Sequence, residues 1–116
     1  MLKYKSIWRE DPMNAATVVD NYANNGRLYI GLWCDGEGYW EPWCDITVNL
    51  FAPLSGENCA YVDENNCPGI GAWLEKNELA TPTGRSAVSG WNTYAEYKFD
   101  MEKVQKHCFH GTLEEL

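Results

Sequence analysis

Between residues 27 and 50 apolar side chains recur at every second position, and this alternation limits the chain more than any other feature. Leu28, Ile30, Leu32 and Cys34 form one run; Trp40, Pro42, Cys44, Ile46, Val48 and Leu50 form the next. A period of two is that of a half-buried β-strand. Asn24-Asn25-Gly26 precedes the first run and Asp35-Gly36-Glu37-Gly38 separates the two. Asn-Gly marks a tight hairpin because both residues tolerate positive φ. Ala16-Thr17-Val18-Val19-Asp20-Asn21-Tyr22 has strand-like β-branched content. Residues 16–50 therefore predict a three-stranded antiparallel meander with the even positions toward the core. Matching even faces across the second turn calls for an odd loop, Asp35–Glu37 or Asp35–Tyr39. In either register Gly31 lies near Trp43 or Glu41, whose side chain would cover it. Pro42 lacks an N–H and belongs at an edge or a bulge.

Further along, Cys59–Asp63 reads as a short strand. Ile70, Trp73 and Leu74 give the spacing of a short helix over about 69–77, with Asn65 or Asn66 as its N-cap and Asn77 as its stop. Residues 80–92 show neither period and read as a long polar loop, a feature often tied to function. Tyr94–Phe99 reads as a strand, and Asp100 caps a last helix over 101–110 ended by Gly111. The order of elements predicts an α+β class: a mostly antiparallel sheet with one or two short helices, in a single domain of 1–116. At 116 residues one core is feasible and two are not.

Charge is distributed unevenly. Residues 28–75 hold Asp35, Glu37, Glu41, Asp45, Glu57, Asp63, Glu64 and Glu75, and no Lys or Arg. The rest of the chain balances nine acids with nine bases, so the net charge of −8 lies in that stretch. Such a balance argues against direct nucleic-acid binding, which needs a cationic surface. The five cysteines, an odd number without a Cys-x-x-Cys pair, read as reduced thiols in a cytoplasm. No apolar run is long enough to span a membrane. His107-Cys108-Phe109-His110 reads as the end of a frayed helix rather than a metal site, and no cofactor is expected.

Asp45–Leu50, then Asn58-Cys59-Ala60-Tyr61-Val62-Asp63-Glu64-Asn65-Asn66-Cys67-Pro68, then Leu79-Ala80-Thr81-Pro82-Thr83-Gly84-Arg85, Ser89-Gly90 and Tyr94 follow one another in order. This succession resembles a domain-of-unknown-function family of small acidic proteins over roughly residues 21–100. The resemblance implies a setting on plasmids, conjugative elements and prophages of gut Firmicutes. It carries over no catalytic residue.

The sequence lacks a P-loop, a Gly-x-Gly-x-x-Gly fingerprint, His-Glu-x-x-His and Gly-x-Ser-x-Gly. The expectation is a protein that is not an enzyme. On the odd face of the meander the reading places Tyr29, Trp33, Tyr39 and Trp43 with Glu41 and Asp45. These six are the candidate partner-binding residues, because aromatic anchors concentrate at interface centres. The alternative is that helix 69–77, loop 80–92 or a second copy covers that face. The partner expected is a host protein, with a cationic surface if the acids imitate a phosphate backbone at about 6.8 Å per two strand residues. An accessory module using the aromatic face is the alternative. Thr83, Gly84, Arg85 and Ser86 are a lesser candidate, an anion site built from backbone N–H groups and a guanidinium.

Overall fold

In the computed structural model, which describes residues 2–109, the chain forms two four-stranded antiparallel sheets and two short helices. The first sheet contains β1 (Leu2–Tyr4), β2 (Met13–Asn21), β3 (Leu28–Asp35) and β4 (Trp40–Asp45), in that spatial order. The second contains β5 (Thr47–Val48), β6 (Cys59–Val62), β7 (Ala80–Ser89) and β8 (Asn92–Phe99), in the order β5-β6-β8-β7. Helix α1 (Ile70–Lys76) lies between β6 and β7 in the chain, and α2 (Met101–Lys106) follows β8. The α+β class and the β2–β3–β4 meander agree with the sequence reading.

The two sheets share one core. Leu2, Tyr4, Met13, Ile30 and Leu32 of the first pack in one cluster with Ala60, Val62, Tyr97 and Phe99 of the second. Ile70 and Leu74 of α1 and Val104 of α2 join them. The predicted third strand is in fact two, because Ile46 hands the chain from one sheet to the other. Its N–H donates to Ile30 O at 3.0 Å and its carbonyl accepts from Asp63 N at 2.8 Å, so one residue stitches both sheets. Ile46 is fully buried.

The loop between β3 and β4 has four residues, 36–39, an even number where the pattern called for an odd one. The ladder restores parity with a bulge: Leu32 pairs with Cys44 and Trp33 with Pro42, leaving Trp43 as the extra residue. Partners across an antiparallel ladder share a face. From Cys44 onward the even positions face the core as expected. Before the bulge they do not: Trp40 pairs with Asp35 and Pro42 with Trp33, on the outer face, while Glu41 opposes the buried Cys34. Pro42 sits on an edge strand beside the bulge, where its missing N–H costs nothing.

Five further expectations are corrected. Residues 80–92 are not a loop: they supply β7, a two-residue turn at Gly90-Trp91 and the start of β8. The cysteines are not all thiols: Cys44 and Cys67 form a disulfide, with Cα atoms 6.3 Å apart, while Cys34, Cys59 and Cys108 are free. The last helix ends at Lys106; His107–Phe109 instead extend the edge of β2. There Thr17 N–H donates to His107 O at 3.1 Å and Phe109 N–H to Thr17 O at 2.7 Å. His110 and Gly111 lie outside the described residues. The α1 cap also differs: the N-cap is Gly69, and the Glu64 carboxylate accepts from Gly69 N at 2.8 Å and Gly71 N at 2.6 Å. The left-handed residue past α1 is Glu78, not Asn77. Asp100 does cap α2, accepting from Lys103 N at 3.2 Å.

Candidate functional site

The outer face of the first sheet carries part of the predicted set. Tyr29, Trp33 and Asp45 share it, as the odd pattern implied. Tyr29 lies along its own strand over Gly31, and its hydroxyl donates to Asp45 Oδ1 at 2.6 Å. The ring covering Gly31 is therefore Tyr29, not a side chain from position 41 or 43. Burial, the hydrogen bond to Asp45, and the charges of Asp45 and Asp20 keep the Tyr29 phenol protonated far above its ordinary range. Tyr22 packs edge-on against it at 5.6 Å and bonds Thr47 Oγ1 at 3.0 Å.

Trp43 and Glu41 do not belong to this face. The bulge turns Trp43 into the margin of the core, where it is partly buried. Glu41 stands on the Cys34 side; burial first, and the Glu41 charge second, push the Cys34 thiol up to about 12. Trp40 takes the place the reading gave to Trp43. Trp33 and Trp40 meet at Phe109, whose ring lies 4.9 Å from the first and 5.8 Å from the second. Among the described residues Phe109 is thus the cover on these two rings; α1 packs against the core side instead.

At the β3–β4 turn end of this sheet, the β1–β2 connection comes alongside. Arg9 ties the two loops together through Gly36 O and Glu37 Oε1, both at 3.3 Å. Three large apolar side chains stand exposed on these loops: Ile7 at 64%, Trp8 at 79% and Tyr39 at 56%. The sequence reading reached only Tyr39. The signal it passed over is the pair Ile7-Trp8 flanked by Ser6 and Arg9, in a segment with no period to bury it.

The acids of 28–75 do not occupy one element. Asp35 accepts from Gly38 N in the β3–β4 turn, and Asp63 accepts from Asn65 N and Asn66 N before α1. Glu64 caps α1, and Glu75 accepts from the Tyr97 hydroxyl at 3.2 Å. Among the described residues, Glu37 alone of the eight forms an ion pair, with Arg9. The second ion pair among the described residues, Lys103–Glu78, lies outside that stretch.

Thr83, Gly84, Arg85 and Ser86 are brought together by a second bulge. Pro82 pairs with Tyr97 and Ser86 with Ala95, so 83–85 stand opposite Glu96 alone. Gly84, at φ 91, makes that bend possible. The anion that Thr83 receives is the chain's own. Glu96 is fully buried, and its carboxylate accepts from Thr83 Oγ1 and Ser55 Oγ at 2.5 Å and from Ser55 N at 2.7 Å. Arg85 reaches Ser55 Oγ at 3.3 Å. Burial alone would raise the Glu96 carboxyl. The Ser55 and Thr83 bonds and the Arg85 charge outweigh it and hold the group below its ordinary 4.5. Ser86 lies past the bulge and takes no part in this socket. Glu96 escaped the sequence reading because a glutamate amid a strand looks solvated until the loop 51–58 closes over it.

Among the described residues no His, Cys, Asp and Glu come together as a metal cluster, and no helix is long and apolar enough to cross a membrane.

These features define a small, mostly antiparallel α+β domain with an aromatic sheet face and an internal carboxylate socket. The family described as a domain of unknown function, DUF4313, matches residues 17–115, and the chain belongs to it. The match extends 15 residues beyond the C-terminal limit at 100 that the sequence blocks suggested. Comparison with curated proteins and with solved structures finds no match.

Proposed function

We propose that the protein is a non-catalytic binding protein that docks a host protein through the turn end and outer face of the first sheet. The observation that carries this reading is the exposure of Ile7, Trp8 and Tyr39 on two loops cross-tied by Arg9. Exposed aromatics on a braced support resemble the anchors that dominate interfaces. Trp40 and Trp33, half-buried beside Phe109, continue the surface inward. A mobile-element protein acting in the cytoplasm of its host, as an inhibitor of a host factor or an accessory module, fits this description. Three free thiols out of five cysteines favour a reducing compartment; the Cys44–Cys67 bond counts against it. What supports the non-catalytic part is that Thr83 and Arg85 are engaged with Glu96 and Ser55 of the chain itself.

A second reading, a phosphate-backbone mimic, rests on the scarcity of ion pairs around the acids among the described residues. Capture from host lysate separates the two. Under the first, Trp8→Ala with Tyr39→Ala loses the captured partner, and 0.5 M salt does not. Capture that survives the double variant and is abolished by salt, or by Asp45→Asn with Asp63→Asn, overturns the first reading in favour of the second.

A further inference from the structure

Beyond its bulge the β7–β8 hairpin leaves the body of the protein. β6 pairs with β8 only over Glu96–Lys98, and β7 is the outermost strand of its sheet. From Ser86 to Ala95, among the described residues, no backbone hydrogen bond leaves the hairpin. Nine of those ten residues are exposed or half-exposed, with Val88 at 74% and Trp91, at the tip, at 102%. The segment is Ser-Ala-Val-Ser-Gly-Trp-Asn-Thr-Tyr-Ala, without a charge in a chain of net charge −8.

Proteins blunt exposed strand edges with charge, proline or bulges. The near half of β7 has all three: Pro82, the 83–85 bulge and Arg85. The far half, Ser86–Ser89, has none. A two-residue turn makes Ser89 and Asn92 a hydrogen-bonded pair, so Ala87 and Tyr94 form the next one along. Ser86 and Val88 therefore aim their N–H and C=O groups at the free edge.

We infer that this edge pairs with the same edge of a second copy of the chain, antiparallel across a two-fold axis at Ala87. Ser86 of each copy then bonds Val88 of the other. Identical strands related by a two-fold axis are self-complementary without further design. Charge opposes a second copy everywhere except along this arm. Two bodies of −8 repel, and the uncharged arm is where they meet without opposing like charges. The nearest charges on the paired edge, the two Arg85 side chains, stand two positions either side of the axis. That is about 13 Å apart, beyond the screening length of about 8 Å at physiological salt. Pro82 and the bulge end the pairing, and each Trp91 comes to lie beside the Thr83–Arg85 stretch of the other copy, within reach of a cation–π contact.

Sedimentation velocity of the full chain from about 1 to 300 µM tests this. The expected result is a monomer–dimer equilibrium that tightens as NaCl rises to 0.5 M, because salt screens the repulsion between bodies. Val88→Lys, which charges the free edge, weakens the dimer at least tenfold while its circular dichroism and melting temperature match the parent. Trp91→Ala weakens it less. Trp8→Ala with Tyr39→Ala dimerises as the parent does, which keeps this outcome separate from that of the proposed docking face. A monomer throughout at both salt levels overturns the inference. So does a dimer indifferent to Val88→Lys, or Trp91-dependent binding to phosphatidylcholine vesicles in place of self-association.

Discussion

Each sheet contains one hairpin with a register shift, and the two shifts do opposite things. In β3–β4 the extra residue is Trp43, and the bulge folds a large ring into the margin of the core. Next to it Cys44 is bolted to Cys67, so this hairpin is fixed to the segment entering α1. In β7–β8 the extra length contains Gly84, and the bulge turns the Thr83 hydroxyl toward a buried carboxylate. Past that point, among the described residues, no backbone hydrogen bond ties the hairpin to the body. The first shift repairs an alternation that the loop length had put out of phase. The second creates a polar socket and marks where the sheet stops being a sheet and becomes an arm. A bulge takes its meaning from what its side chains can reach: an indole reaches the core, whereas Thr83 reaches the buried Glu96 carboxylate and Arg85 the Ser55 hydroxyl beside it.

If the first hairpin is held by its bolt, breaking the bolt has the largest effect. Reduction, or Cys67→Ala, lowers stability by about 3 kcal/mol from the released loop of 23 residues, read by urea unfolding with and without reductant. Cys59→Ala, at a free buried thiol, serves as the comparison and does not make unfolding indifferent to reductant.

The second hairpin answers next. Glu96→Gln removes one acceptor from Ser55 and Thr83 and costs roughly 1–3 kcal/mol at neutral pH, measured by thermal or urea unfolding. Because the folded carboxyl is held below 4.5, its contribution is present above the unfolded carboxylate pKa and is lost as pH falls through the folded one. The parent therefore loses its advantage over Glu96→Gln on the acid side, and the two stability curves converge there. Curves that stay parallel through that range would show that the socket does not favour the ionised form.

The smallest effect belongs to the hinge of the second bulge. Gly84→Ala puts a Cβ at φ 91 with open space around it, so the cost is conformational alone, about 1–2 kcal/mol. If the Thr83 and Arg85 contacts need that bend, the same variant also flattens the acid dependence seen with Glu96. A stability loss without that flattening would separate the bend from the socket.

Much of this was legible in the sequence because it is local. Leu28, Ile30, Leu32 and Cys34 carry their period in four residues, and Asn25-Gly26 marks the place of the β2–β3 hairpin, although its loop is the four residues 23–26 closed by Tyr22 N–H on Arg27 O, with Gly26 and not Asn25 at positive φ. Asp100 caps α2 because the acceptor and the amide it serves lie three residues apart. The same locality explains why Gly90-Trp91 was within reach: a Gly-X pair between two runs is a two-residue hairpin signal. The polar character of the flanking strands masked it, since an arm with no core beneath it has no apolar face to alternate.

By itself, the sequence determined the class, the meander, the positions of the helices and the placement of all excess charge within 28–75. Those properties follow from neighbours along the chain. The tertiary structure alone decided that Trp43 turns inward and Trp40 outward, that Cys44 meets Cys67, that Phe109 covers Trp33, and that Thr83 and Arg85 serve Glu96. Each depends on a contact between segments far apart in the chain, or on a bulge whose single extra residue reverses every face before it. A pattern of period two gives the two faces of a strand but not the place where they exchange.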